Sequence, residues 1–202
     1  LVERLCVGER AEHVRHRARV PAANLRVERR LGLEELLQVV NAQELFKSKT
    51  TFNAQIGGWD TSKVTSMQET FKEAVDFNKE LNWDMSKVTN MQNMFYAATD
   101  FNKQLNHWDT SKVSNMVGVL RTANSFNQEI NDWDTSQVTK LNMMFYDNTA
   151  FNKPLSNWDI GKTSFFMMFH GTTFNQQLNW DTSKVTDMWG MFRSSTGFNQ
   201  PL

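Results

Sequence analysis

Cysteine is almost missing from this 202-residue chain. Cys6 stands alone, so no intramolecular disulfide can form and the disulfide-stapled scaffolds of small secreted domains are excluded. Secretion as such stays open. No apolar run approaches the length of a membrane span. The first residue is Leu1, with no basic-then-apolar leader behind it, so the chain reads as a fragment whose true start lies upstream. Net charge is also lacking: the formal balance is +0. The balance hides an asymmetry, with eight Arg against four acids in residues 1–30 and fourteen Lys plus Arg against fifteen acids in residues 45–202. Neither the whole nor the larger part has the charge of a polyanion-binding protein, so no nucleic-acid partner is expected.

What is present is a repeat. Phe-Asn pairs begin at Phe52, Phe77, Phe101, Phe126, Phe151, Phe174 and Phe198, and Trp-Asp pairs at Trp59, Trp83, Trp108, Trp133, Trp158 and Trp180. The period is 22 to 25 residues, and each unit follows F-N-x-x-[LI]-x-x-W-D-T-S-K-V-T-x-M-x-x-M-F-x-x-A. The chain stops at "FNQPL", inside a seventh unit, and the C-terminus also reads as a cut. Trp-Asp invites a propeller reading, but propeller blades repeat at about 40 to 45 residues behind a Gly-His signature. Both features are missing. A period near 24 suits one coil of a solenoid.

Spacing divides the unit in two. From Val88, apolar residues fall at Met91, Met94, Phe95 and Ala98, a rhythm of three and four that predicts a short helix. Thr65 with Gln68, and Thr89 with Gln92, have capping-box spacing at its start. The other half, such as "FNKQLNHWD" at residues 101–109, predicts a short strand around Leu105, pairing in parallel with its copy about 4.8 Å away. The expected fold is therefore an α/β solenoid: a leucine-rich-repeat-like right-handed coil with one short strand and one short helix per repeat. The unit at "WDIGKTSFFMMFHGTTFN", residues 158–175, lacks the common Val and is shortened, so irregularity is expected there.

In such a stack each consensus residue stands above its copy, and columns replace pockets. The Phe column (Phe52, Phe77, Phe101, Phe126, Phe151, Phe174) and the Trp column (Trp59, Trp83, Trp108, Trp133, Trp158, Trp180) read as core, with methionine filling the space between aromatic rungs. The Asn column (Asn53, Asn78, Asn102, Asn127, Asn152, Asn175) reads as a side-chain ladder. The Asp column (Asp60, Asp84, Asp109, Asp134, Asp159, Asp181) reads as turn-forming; the glycine-rich nonapeptide of calcium-binding solenoids is absent.

Residues 1–44 are atypical. The first lysine is Lys47, and "EHVRHRARVPAANLRVE" is rich in Arg and His. Read as the complementary strand backward from Glu28, its codons permit F-N-A-Q-I-G-G-W-D-T-S-x-V-T-D-M, with Pro21 over Trp and Val20 over Asp. That string matches "FNAQIGGWDTSKVTSM" from Phe52. An antisense origin for residues 1 to about 42 is expected. An amphipathic helical cap over residues 31–46 is the alternative, and both can hold.

Written out, the unit "MFYAATDFNKQLNHWDTSKVSNM", residues 94–116, resembles the repeat of the BspA-like leucine-rich-repeat surface proteins, over residues 45–202. The resemblance implies a non-enzymatic solenoid outside the cell or on its surface, used for adhesion or recognition of a protein or glycan.

No convergent set of unlike reactive groups, metal-ligand cluster or phosphate loop appears in the sequence, so no enzyme, metal or cofactor is expected. The leading expectation is a polar binding column of Thr61, Lys63, Lys87, Thr110, Lys112, Thr135, Thr182 and Lys184, with Lys162 in line and Trp189 as an exposed aromatic contact. Two alternatives are a structural array self-associating through the solenoid ends, and an ice- or mineral-binding face on the Thr column. Met85 and Ile160 interrupt that column.

Overall fold

The computed structural model describes residues 39–161 and 163–201. Repeats are stacked along one axis, and the core is the set of columns running through them. In the Phe-Asn column, ring centroids step by 5.8 Å from Phe52 to Phe77 and by 6.2 Å from Phe126 to Phe151. A second column follows the Met-Phe position, where Phe71 to Phe95 and Phe145 to Phe169 step by 5.4 and 5.3 Å. The two interlock within each repeat, as Phe95 and Phe101 do at 4.1 Å. Trp108, Trp133 and Trp158 form a third stack at 6.3 and 6.4 Å. Full burial of each ring contributes about 1.5–3 kcal/mol, and the methionines Met67, Met91, Met116 and Met144 are completely buried beside them.

The α/β solenoid expected from the sequence, with a right-handed leucine-rich-repeat-like coil, is overturned. Among the described residues there is no α-helix, and parallel pairing is confined to single bridges joining Ser66 to Asn90, Asn90 to Asn115, Asn115 to Lys140 and Lys140 to Ser164. The segments read as helices are runs of overlapping turns. Met94, Tyr96 and Ala98 donate their N–H groups three residues back, to Met91, Asn93 and Phe95. The alternate N–H groups of Met91, Asn93, Phe95 and Ala97 instead donate to Asn115, Val117, Val119 and Arg121 of the next repeat, at 2.8–2.9 Å.

Two residues four apart in every run have left-handed backbone: Glu69 and Glu73, Asn93 and Ala97, Gly118 and Thr122, Met143 and Asp147, Met167 and Gly171, Gly190 and Ser194. A right-handed helix cannot pass through such residues. Spacing gives the physical reason. Packed helices need about 8–10 Å between axes, whereas these segments bond backbone to backbone, as Phe95 N–H does to the Val119 carbonyl at 2.9 Å. Burial at three- and four-residue steps is met equally by turns that reverse hand every fourth residue.

The expected strand around Leu105 is also absent. The Leu105 carbonyl, which a sheet ladder would use, accepts the Trp133 indole N–H at 2.9 Å and the Trp108 backbone N–H at 3.1 Å. The capping-box reading gives way too. The Thr89 hydroxyl donates across the stack to the Thr65 carbonyl at 3.2 Å, and Ser114 repeats this onto Thr89.

In the shortened unit, Thr163 occupies the usual Val position, and its hydroxyl donates to Ile160 at 2.7 Å. The ring stacks pass through this unit unbroken, from Phe151 to Phe174 at 6.2 Å.

At the N-terminal side, residues 39–46 are not helical. Val39 donates to Asp60 and Glu44 to Gln68, and Glu44 and Ser48 carry the paired left-handed backbone. "VVNAQELF" thus stands in register with "VTSMQETF" at residues 64–71, so repeat stacking reaches back past residue 45. The remainder of the proposed cap and the Arg/His stretch assigned an antisense origin lie outside the described residues.

Candidate functional site

Four ladders fix where side chains can stand. In the first, each Asn side-chain carbonyl accepts the backbone N–H of the next Asn, from Asn53 through Asn78, Asn102, Asn127, Asn152 and Asn175 to Asn199, at 2.9–3.1 Å. In the second, the indoles of Trp83, Trp108, Trp133, Trp158 and Trp180 donate to Ile56, Leu81, Leu105, Ile130 and Leu155 of the preceding repeat. Trp59 packs partly buried against Phe46 at 5.7 Å.

The third ladder is a series of Asx turns, local turns closed by an aspartate carboxylate. Asp60, Asp84, Asp109, Asp134 and Asp181 accept the backbone N–H of Ser62, Ser86, Ser111, Ser136 and Ser183, and Asp159 accepts that of Gly161. Hydrogen bonds from the serines hold the carboxyls of Asp84, Asp109 and Asp181 below the ordinary aspartate value, with Lys87, Lys112 and Lys184 adding to the effect.

The fourth ladder relocates part of the sequence-derived binding column. Thr61, Thr110 and Thr135 are buried, and their hydroxyls donate to the carbonyls of Asp84, Asp134 and Asp159 in the next repeat at 2.8–3.0 Å. Met85 and Ile160 are buried in the same column. These threonines therefore stand inside the stack and offer no flat outer face to ice or mineral. Thr182 is exposed, as are Lys63, Lys87, Lys112 and Lys184, so what reaches the surface here is a lysine strip, with Gln137 standing in the lysine register. Lys162 lies outside the described residues. Trp189 is 54% exposed on a different face, stacked on Phe166 at 5.2 Å.

That second face carries a column that motif reading passed over. The residue after the aromatic or leucine of each turn run is, in order, Lys47, Lys72, Tyr96, Arg121, Tyr146, His170 and Arg193. Arg121 lies between two rings, its Cζ 4.9 Å from the Tyr96 centroid and 4.8 Å from that of Tyr146. His170 stacks on Tyr146 at 4.5 Å, with its Nδ1 3.2 Å from Asp147. Near the other end, Glu69 takes Lys47 at 2.6 Å and Lys72 at 3.5 Å. Burial alone pushes the Glu69 carboxyl up; the Lys47 hydrogen bond and the Lys72 charge together outweigh it and set the group below its usual value. The signal was present in the sequence, in "MFY" at residues 94–96 and 144–146 against "LR" at residues 120–121.

Among the described residues no three His, Cys, Asp or Glu side chains gather where they could hold a metal, and no helix is long and apolar enough to cross a membrane. The exposed positions run as strips along the stack of repeats.

No curated protein and no solved structure matches the chain. One family description matches in three overlapping stretches, residues 23–116, 81–172 and 161–202, as a repeated unit must. The chain belongs to the family described as Mycoplasma protein of unknown function, DUF285.

Proposed function

We propose that this chain is a non-enzymatic recognition scaffold at a cell surface, binding a protein or a glycan. One observation carries the reading: copies of a position in successive repeats stand one above another, so a single exposed residue type becomes a continuous strip, as at Lys87 and Lys112. Repeat stacks use such extended surfaces for binding. The resemblance of residues 94–116 to BspA-like surface proteins supports the setting, and the near balance of charge in residues 45–202 weighs against a nucleic-acid partner.

The test is a glycan array and a panel of purified extracellular-matrix proteins, probed with the chain and with a Lys87→Ala, Lys112→Ala, Lys184→Ala variant, sedimentation confirming that both are monomers. Binding lost in the variant supports the lysine strip as the contact. Binding unchanged moves the contact to the Trp189 face, and no binding to any probe overturns the recognition reading. A second reading, self-association into an array, has its own observation in the exposed Met188 and Trp189. It requires growth in mass with concentration in the same sedimentation runs.

A further inference from the structure

We infer that the stack carries a hinge at the corner formed by Ile160, Gly161, Thr163 and Ser164, about which residues 164–201 tilt against residues 39–161. The hinge does not depend on the recognition reading. Its cause is one missing residue. In the regular units a hydroxyl residue stands between the buried Val and the bridged position, as Thr139 does between Val138 and Lys140. In the shortened unit Thr163 fills the Val place, its N–H donating to Ile160 as that of Val138 does to Thr135. The bridge to Lys140 is then made by Ser164, directly after it, and the place between them has no occupant.

The missing residue is the one that ties repeats together at this corner. Thr89, Ser114 and Thr139 each donate twice to the repeat before, the N–H at 2.9–3.0 Å and the hydroxyl at 3.2–3.3 Å. Toward Thr139 itself both donors are gone. The neighbouring bond is stretched: Leu141 reaches Ser164 at 3.4 Å, where Met67, Met91 and Met116 reach Asn90, Asn115 and Lys140 at 2.8–2.9 Å. Ile160 stands in the place of Thr135 and has no hydroxyl to send to Asp181. The Ser164 hydroxyl does reach back, but to Asn142 at 2.8 Å, in the turn run and not at the corner. Gly161 takes the place of the serine in the other Asx turns. A Cβ there would meet only the Asp159 carboxylate, at 3.6 Å, so this corner has a backbone freedom that the serine corners lack.

Away from the corner the same seam is closed. Asn175 donates to Asn152 at 2.9 Å, the Trp180 indole to Leu155 at 2.8 Å, and the rings of Phe151 and Phe174 stack at 6.2 Å. Met143, Phe145 and Asp147, further along the run from Leu141, bond to Phe166, Met168 and His170 at 2.8–3.0 Å. A seam held along one side and short of bonds along the other opens on the short side first, with the Phe and Asn columns as its axis. Lys63, Lys87 and Lys112 lie on one arm and Lys184 on the other, so the tilt changes the span of the exposed lysine strip.

The experiment is native-state hydrogen exchange of the full chain followed by NMR, comparing the Leu141, Met116 and Asn175 amides after correction for their intrinsic rates. Leu141 is expected to exchange roughly ten-fold or more faster than Met116, because two fewer hydrogen bonds guard its corner. Asn175, which crosses the same seam on the closed side, should be as slow as Met116. Equal protection of Leu141 and Met116 overturns the hinge. Asn175 as fast as Leu141 overturns it too, because residues 164–201 would then leave the stack as a block. A second chain, with one threonine inserted between Thr163 and Ser164, restores the missing residue and should slow Leu141 to the Met116 rate. Unaltered Leu141 exchange in that chain, with its urea midpoint maintained, overturns the cause assigned to the hinge. Should the inserted chain have a lower midpoint, the three amides of the unaltered chain decide alone.

Discussion

The Asn102 side chain accepts the backbone N–H of Asn127 at 3.0 Å and the Gln128 amide at 2.8 Å, so one residue sets the register of the repeat that follows it. The same bond recurs along the Asn column, and each copy satisfies a backbone donor that has no sheet partner. Asn102→Ala is expected to cost about 0.5–1.5 kcal/mol in urea unfolding, the net worth of a hydrogen bond between part-buried groups. Gln104→Ala, at an exposed position one turn away, should stay within about 0.5 kcal/mol. Equal effects would mean that the ladder is a by-product of stacking and does not fix register.

Backbone hand supplies a sharper test of the fold. Thr122 is a β-branched residue at φ 51°, where such side chains are strained. Thr122→Gly should stabilise by about 0.5–1 kcal/mol, whereas in a helix it would destabilise by a comparable amount. Gly171, at φ 66°, is the converse. A Cβ there would collide with the Asp147 carboxylate, and Gly171→Ala should cost more than about 1 kcal/mol. Thermal unfolding of the two variants decides between turns and helix by sign alone.

The columns could be read from residues; the backbone between them could not. Phe-Asn and Trp-Asp recurring at a near-constant period place Phe101 above Phe126 and Trp108 above Trp133 whatever the local conformation, because stacking needs only register. Met91, Met94, Phe95 and Ala98 gave a helix rhythm because inward-facing positions recur at three and four residues in either conformation. The discriminating signal was the left-handed register itself: Gly118, Gly171 and Gly190, with Asn93 and Asp147, occupy the only two positions per repeat that need it. A helix interior would have disfavoured all three glycines. The surface reading missed because Thr61 and Lys63 were taken as one strip, although the Asx turn that Asp60 closes on Ser62 leaves the threonine buried in the stack and the lysine exposed. Arg121 escaped because its column changes residue type at every step.

Acid should weaken the stack through Glu69. Its carboxyl sits below the ordinary 4.5, so the folded state favours the ionised form. The unfolded chain then binds more protons as pH falls through that range. The stabilisation is fully present above the unfolded value and is lost as pH drops through the lower, folded one. Glu69→Gln removes the Lys47 and Lys72 pairings, so the variant should have the lower urea midpoint near neutral pH. The gap should narrow as pH falls below 4.5 and through the lower, folded value. A gap independent of pH would show that Glu69 acts through packing and not through charge.

Thr135 separates stability from binding. Its hydroxyl is buried and donates to the Asp159 carbonyl at 2.8 Å, yet Met85 and Ile160 fill the equivalent place in other repeats without any donor. The column therefore tolerates an apolar occupant. Thr135→Val, which keeps the shape and removes the hydrogen bond, should cost about 0.5–1.5 kcal/mol. Thr135→Ala, which also opens space between repeats, should cost more. Neither change should alter affinity for any partner that the chain binds, because the side chain never reaches the surface. Lys112→Ala, exposed two residues beyond Thr110, should do the reverse, leaving the urea midpoint within about 0.5 kcal/mol while weakening a ligand held on the lysine strip. A loss of binding in Thr135→Val at full folding would place the contact on the buried column and refute the division drawn here between inward hydroxyls and outward lysines.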